Sequence, residues 1–305
     1  MKASRSFLRL FGHLNFIRFG VRDRILRYLH DQDTAASESF EVNFYGHAYP
    51  GNFNNFIDWS VFYYGAYARE ELSLIAHLLE PIAKPVVFDI GANVGHHSLF
   101  AATVASTVHS FEPFAKVADK LKEKVARNCL ANITLHEIAL GETSESKPFN
   151  PPSGNNPGTG SFLGADPQVN SLDLRIERGD QYLNERSIDH VDLIKMDIEG
   201  FEIFALKGLR ETLQRSRPLC FFEWSQEHRE DSMENGVQLF PRDYLFFSFS
   251  SERPVLWFFN ASKYKLTKLN GAWADGNLLA VPKEYAERVH ALNPSPTIAR
   301  RLRGK

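Results

Sequence analysis

Cysteine is nearly absent from this sequence: Cys129 and Cys220 stand far apart, outside any CxxC or Cys/His cluster. That excludes a disulfide framework and a cysteine-based zinc site, and it suits reduced thiols in a cytoplasmic chain. No apolar run approaches the roughly 20 residues of a membrane span, and the N-terminal stretch offers no continuous signal-peptide core. Internal repeats and low-complexity tracts are also lacking. Acids are scarce at both ends. Residues 1–30 carry seven Lys/Arg against Asp23 alone, a net +6, and residues 288–305 carry five cations and no acid. For the chain to total −2, the segment between them must hold −13. An acidic body lacks the basic face that nonspecific nucleic-acid binding needs, so no nucleic-acid partner is expected.

What is present is enough apolar residue, 43% of 305, for one sizeable core but not for two enzyme domains. We read a basic amphipathic helical extension over 1–40, a catalytic domain over 41–285 and a basic tail over 286–305. In the extension, Phe7, Leu10, Phe11, Leu14, Ile17, Val21 and Ile25 recur at mostly three- and four-residue intervals, with arginines between them. Such a stripe either docks on the domain or a second subunit, giving a homo-oligomer, or meets anionic lipid at the membrane's inner face.

The most informative segment is Val87-Phe88-Asp89-Ile90-Gly91-Ala92-Asn93-Val94-Gly95, an apolar strand running into a glycine turn and then a helix. Gly91 and Gly95 allow close backbone approach, and the helix start offers unpaired N–H groups. A second strand ends in Glu112, 21 residues after Gly91, near the ~20-residue offset at which a carboxylate holds a ribose diol. The turn reads Asp-x-Gly-x-Asn-x-Gly, not the Gly-x-Gly-x-x-Gly that cradles a pyrophosphate. Asp89 puts an anion where a dinucleotide phosphate would sit, and suits the ammonium and sulfonium of S-adenosylmethionine instead.

The rest of the chain alternates as a doubly wound α/β fold does: a helix over 114–128, strands at 133–138 and 171–177, a helix near 179–185, the central strand 191–197, a helix over 201–214 and the strand 219–224. Segments 244–249, 255–259 and 277–282 are further strands, two of them expected to pair as an antiparallel edge hairpin. Ala139-Leu140-Gly141 is expected near the adenine, and the Pro/Gly-rich stretch 148–170 is expected to be a substrate-facing loop. Asp197 and Glu223 fall at the carboxyl ends of neighbouring strands, where such sheets bind ligands. Transfer of a sulfonium's methyl group needs an acceptor oriented in line and a base. The candidates are Asp197, Glu199, Glu223, Lys195 and His97, with Asp197 foremost. Glu199 and Glu202 could instead serve the start of the next helix. Asp197, Glu199 and Glu223 could also form a divalent-metal set, although no metal is assigned.

Three blocks, Asp89–Leu99, Phe111-Glu112-Pro113 and Ile194–Glu202, resemble the FkbM family of S-adenosylmethionine-dependent methyltransferases, over roughly residues 40–285. The resemblance implies a class I fold, a mostly parallel seven-stranded sheet with an antiparallel edge. It implies O-methylation, most readily of a sugar hydroxyl in a glycan or glycolipid, with Asp89, Gly91, Asn93, Gly95, Glu112 and Asp197 at the cofactor. The alternatives are a non-enzymatic nucleoside-binding or scaffold protein, a metal-dependent small-molecule O-methyltransferase, and, less in keeping with the turn, a nicotinamide-dependent dehydrogenase.

Overall fold

The computed structural model describes residues 4–14, 16–151, 160–163, 172–225, 234–252, 263–270, 273 and 275–292. Two basic helices, α1 (Arg5–Gly12) and α2 (Phe19–Leu29), open the chain. Their apolar stripe divides: Leu8 and Leu26 are buried in the main core, whereas Phe7, Leu10, Val21 and Ile25 are exposed. A hairpin follows, β1 (Ser39–Phe44) and β2 (His47–Asn52), turning through Tyr45 and Gly46 at φ 50° and 95°. Left-handed conformation at both turn residues matches the twist of two paired strands. Helix α3 (Phe56–Tyr64) starts where the Asn55 side chain accepts from the Asp58 N–H, and α4 (Arg69–Leu79) leads into the central sheet.

The sheet region comprises β3 (Val86–Ile90), α5 (His96–Ala101), β4 (Thr107–Phe111), α6 (Ala115–Arg127) and β5 (Ile133–His136). It continues through β6 (Ala139–Gly141), β7 (Glu145–Phe149), β8 (Leu172–Arg178), α7 (Gly179–Glu185), β9 (Leu193–Met196), α8 (Glu202–Gly208) and α9 (Arg210–Ser216). The chain then forms β10 (Leu219–Trp224), α10 (Glu234–Val237), β11 (Tyr244–Glu252), β12 (Lys263–Lys268), β13 (Gly276–Pro282) and α11 (Ala286–Ala291). Eight strands make one sheet in the order β12-β11-β13-β10-β9-β3-β4-β5. The five from β10 to β5 are parallel, and β13, β11 and β12 run antiparallel.

Continuous apolar strands are needed because both faces are covered. Val87, Leu193 and Phe221 pack in one cluster with α3–α5, while Phe88, Ile194 and Phe222 pack in the other with α8 and α9. The path starts at β3, moves outward to β4 and β5, then returns to β9 on β3's other side. That reversal puts the crevice for a ligand at the carboxyl ends of β3 and β9.

Four expectations are corrected. The sheet has eight strands rather than seven, because β12 adds to the outer edge of β11. The segments 244–249 and 277–282 pair antiparallel as β11 and β13 but are not consecutive; the antiparallel edge hairpin is made instead by β11 with β12, the outermost strand. Strand β8 belongs to a separate three-stranded sheet, β6-β8-β7; only Ile176 is buried along it, too little apolar surface for a strand covered on both faces. The helix over 201–214 is two helices, with Gly208 at the break pressed on β6, where an added Cβ would lie 1.9 Å from the Gly141 carbonyl oxygen. The predicted strand 255–259 lies outside the described residues.

Candidate active site

At the crevice the glycine turn and β9 touch: a Cβ on Gly91, at φ 79°, would lie 2.1 Å from the Asp197 carbonyl oxygen. Two clefts open from this contact. The first, about 610 Å³, is walled by Phe111, Ile138, Leu140, Phe149 and Phe162, with Glu112 on its wall. The second, about 990 Å³, is polar and holds Tyr67, Glu71, His97, Lys195, Glu223 and Asn277. Gly91, Asn93, Asp197 and Glu199 line both clefts.

Strand register assembles the polar cleft. Asp89 lies opposite Lys195, Lys195 opposite Phe221, and Glu223 opposite Asn277, so these side chains share one face of the sheet. Lys195 is buried with its ammonium 3.7 Å from Asp89 and 3.5 Å from Asp197. Burial disfavours that charge, but the carboxylates of Asp197 and Asp89 more than offset it and raise the pKa. Enclosure also pushes Asp197 up, yet Lys195 and then His97 outweigh it and hold it below its ordinary value. Asp197 shares a hydrogen bond with Glu223, whose pKa is pushed up by burial and then by the Asp197 charge. Glu199 occupies a left-handed position at φ 54°, and burial followed by repulsion from Asp197 and Glu223 lifts it to about 7. From α4, Glu71 accepts from Asn277 Nδ2 at 3.0 Å and lies 3.4 Å from His97 Nε2.

In the apolar cleft, each oxygen of the buried Glu112 carboxylate accepts one backbone N–H, from Phe114 and Asn93, both at 3.0 Å. Burial still lifts its pKa to about 7. Each oxygen keeps a second lone pair for a further donor.

The description Methyltransferase FkbM domain matches residues 89–248, just over half of the chain. The chain belongs to the FkbM methyltransferase family. Two curated relatives are the hexuronic acid methyltransferase AglP of Haloferax volcanii and the 2-O-methyltransferase NoeI of Sinorhizobium fredii. AglP is 29% identical over 147 residues, 48% of this chain, and NoeI is 25% identical over 169 residues, 50% of this chain. The matches span 59% and 68% of those proteins. A crystal structure of an FkbM methyltransferase from Methylobacillus flagellatus covers 67% of this chain and 47% of its own, at 18% identity and a TM-score of 0.40, too loose a likeness to add to the family assignment.

The fold is therefore that of a class I methyltransferase, and S-adenosylmethionine is the cofactor. The first cleft fits it: flat apolar walls suit an adenine, and the spare acceptor sites of Glu112 suit a ribose diol. Ala139 and Leu140 line this cleft, as does the described part of the 148–170 stretch, Phe149, Gly160 and Phe162. Residues 152–159 and 164–170 of that stretch lie outside the described residues.

All five catalytic candidates of this FkbM chain, Asp197, Glu199, Glu223, Lys195 and His97, line the polar cleft. Among the cofactor candidates, Gly91, Asn93, Asp197 and Glu112 line the apolar one. Asp89 and Gly95 line neither cleft. The Asp89 side chain is 1% exposed and accepts from Ser98 Oγ at 2.6 Å, which turns it into the sheet face beside Lys195 and away from the clefts. Gly95, at φ 84°, makes room for Leu121, 2.4 Å from where its Cβ would stand. Among the described residues no group of three His, Cys, Asp or Glu is disposed to hold a metal; Glu223 is occupied with Asp197, and Lys195 sits on the other side of Asp197. Glu202 accepts from the Ile198 N–H at 2.9 Å, shaping the loop after β9. Tyr67, Glu71 and Asn277 were not foreseen, because each reaches the cleft from an element remote in sequence.

Proposed function

We propose that this chain is an O-methyltransferase acting on a hydroxyl of a saccharide, in a glycan or glycolipid, in the cytoplasm. The observation that carries this reading is the meeting of two unlike clefts at Gly91, Asn93, Asp197 and Glu199. S-adenosylmethionine supplies an electrophilic methyl group. The protein's part is to hold an acceptor hydroxyl in line from the polar side and receive its proton. Asp197 is the residue suited to that role: it borders both clefts, is held ionised by Lys195, and is 46% exposed to them. Glu223 and Asn277 add hydrogen-bonding groups of the kind a polyhydroxylated ring requires. The names of AglP and NoeI, one a hexuronic acid and one a 2-O-methyltransferase, favour a sugar acceptor.

The charge of the cleft supports a finer choice. Among the described residues, Glu71, Asp197, Glu199 and Glu223 face Lys195, whose charge Asp89 and Asp197 already share. An acceptor with its own carboxylate beside the reacting hydroxyl would meet unfavourable charge. Incubation with S-adenosylmethionine and matched neutral and uronic glycosides, read by mass spectrometry, is expected to give a methyl ether on the neutral sugar with an equal amount of S-adenosylhomocysteine. Preference for the uronic acid would contradict the charge argument, and methylation of non-saccharide hydroxyls alone would contradict the substrate class.

A further inference from the structure

Nine large hydrophobic residues are exposed among the described residues, and seven of them fall between residues 7 and 29: Phe7, Leu10, Phe16, Val21, Ile25, Tyr28 and Leu29. Phe7 and Leu10 are each 64% exposed and Tyr28 is 88% exposed. On α2, Val21, Ile25 and Tyr28 recur at helical spacing with the exposed Arg24 among them, while Leu26 on the opposite side is buried in the core. Arg18, between the two helices, is exposed as well. One side of these helices is thus committed to the enzyme, and the other presents apolar residues and cations to solvent.

We propose that this face of α1 and α2 docks on an anionic lipid bilayer. The charge distribution selects that occupant. The first 30 residues carry +6 and residues 31–287 carry −13, so a negative surface attracts this end and repels the acidic body. A second copy docking through the same face would bring +6 against +6. Exposed aromatic and aliphatic side chains on a basic helix are what an interfacial helix inserts below the headgroups. The position also matters for the acceptor. The inner side of α2, through Phe19, Asp23 and Arg27, lines a third cavity of about 1140 Å³ that shares Phe56, Tyr67 and Glu71 with the polar cleft. On the saccharide reading above, a docked α2 would place that cavity beside the membrane, within reach of a lipid-borne acceptor.

The test is co-sedimentation of the full chain with phosphatidylcholine vesicles, with and without phosphatidylglycerol. Binding is expected only with phosphatidylglycerol, weakened by salt. Arg18→Ala and Arg24→Ala are each expected to lower the partition coefficient roughly fivefold, and Phe7→Ser with Leu10→Ser to abolish it. Calorimetric binding of S-adenosylhomocysteine, whose cleft is lined by no residue of α1 or α2, stays unchanged in all three variants and reports that they are folded. Failure to sediment with anionic vesicles overturns the proposal. So does a concentration-dependent dimer that Phe7→Ser and Leu10→Ser dissociate while vesicles capture nothing. Neither result would touch the saccharide reading, which rests on turnover.

Discussion

Lys195 sets the protonation of the residues around it. Its ammonium holds the Asp197 pKa down at the junction of the clefts, while burial and then the charge on Asp197 push that of Glu223 up. Asp197→Asn preserves shape but removes the acceptor for the hydroxyl proton. Methyl transfer is expected to fall by about 10²–10⁴-fold, the usual span for a general base, and wild-type turnover would show that the carboxylate is not needed. A different pH effect comes from Glu202, 4% exposed and lifted by burial to about 8. Its folded pKa lies above its unfolded one, so the stability it contributes is complete below about pH 4.5 and is lost as pH rises through about 8. Glu202→Gln keeps an acceptor for the Ile198 N–H and cannot ionise. In thermal denaturation it should match the wild type at pH 4 and exceed it at pH 9, by an amount on the order of a few kcal/mol; equal curves at both would refute the buried charge. At this scale the sequence shows strand-end acids well, because periodicity places Asp197 and Glu223 at carboxyl ends. It does not show side-chain direction in a strand covered on both sides, which is why Asp89, whose register partner is Lys195, faces the sheet neighbour and not a cleft. Nor does it show Glu71 meeting Asn277, a contact 206 residues apart.

Elements are legible where period and punctuation agree. The central strands and α6 fall within a few residues of their predicted bounds because long apolar runs and helical spacing leave little choice. The β1–β2 hairpin lies outside the predicted strands, although Phe40, Val42 and Phe44 alternate ahead of Tyr45-Gly46, its local signal. Local pattern predicts β8 as a strand but not the sheet it joins, since pairing partners are a property of the whole chain. Between β2, α3 and α6 lies a buried polar cluster no local pattern announces. Asp58 accepts from Tyr49 Oη at 2.8 Å and from the Asn52 N–H at 3.0 Å, and stands 3.8 Å from Lys124 Nζ. Asp58 and Lys124 are both buried. Asp58→Ala leaves the ammonium without its counterion, and urea denaturation is expected to show a loss of about 3–5 kcal/mol. A loss under about 1 kcal/mol would mean that Lys124 reaches water when the partner is gone.

Across the whole molecule, function follows from topology. The chain reverses direction between β3 and β9, and that reversal alone decides where a crevice can open; the glycine turn, Asp197 and the helices above the sheet then divide it into an apolar and a polar side. Calorimetric titration of wild type, Glu112→Ala and Glu71→Ala with S-adenosylhomocysteine tests this division. Glu112 lines only the apolar cleft of the two, and Glu71 reaches the polar one and not the apolar one. The wild type is expected to bind, Glu112→Ala to bind roughly tenfold or more weakly through lost charge-assisted hydrogen bonds, and Glu71→Ala to bind as the wild type does. Equal affinity for Glu112→Ala, or a loss confined to Glu71→Ala, would contradict the division.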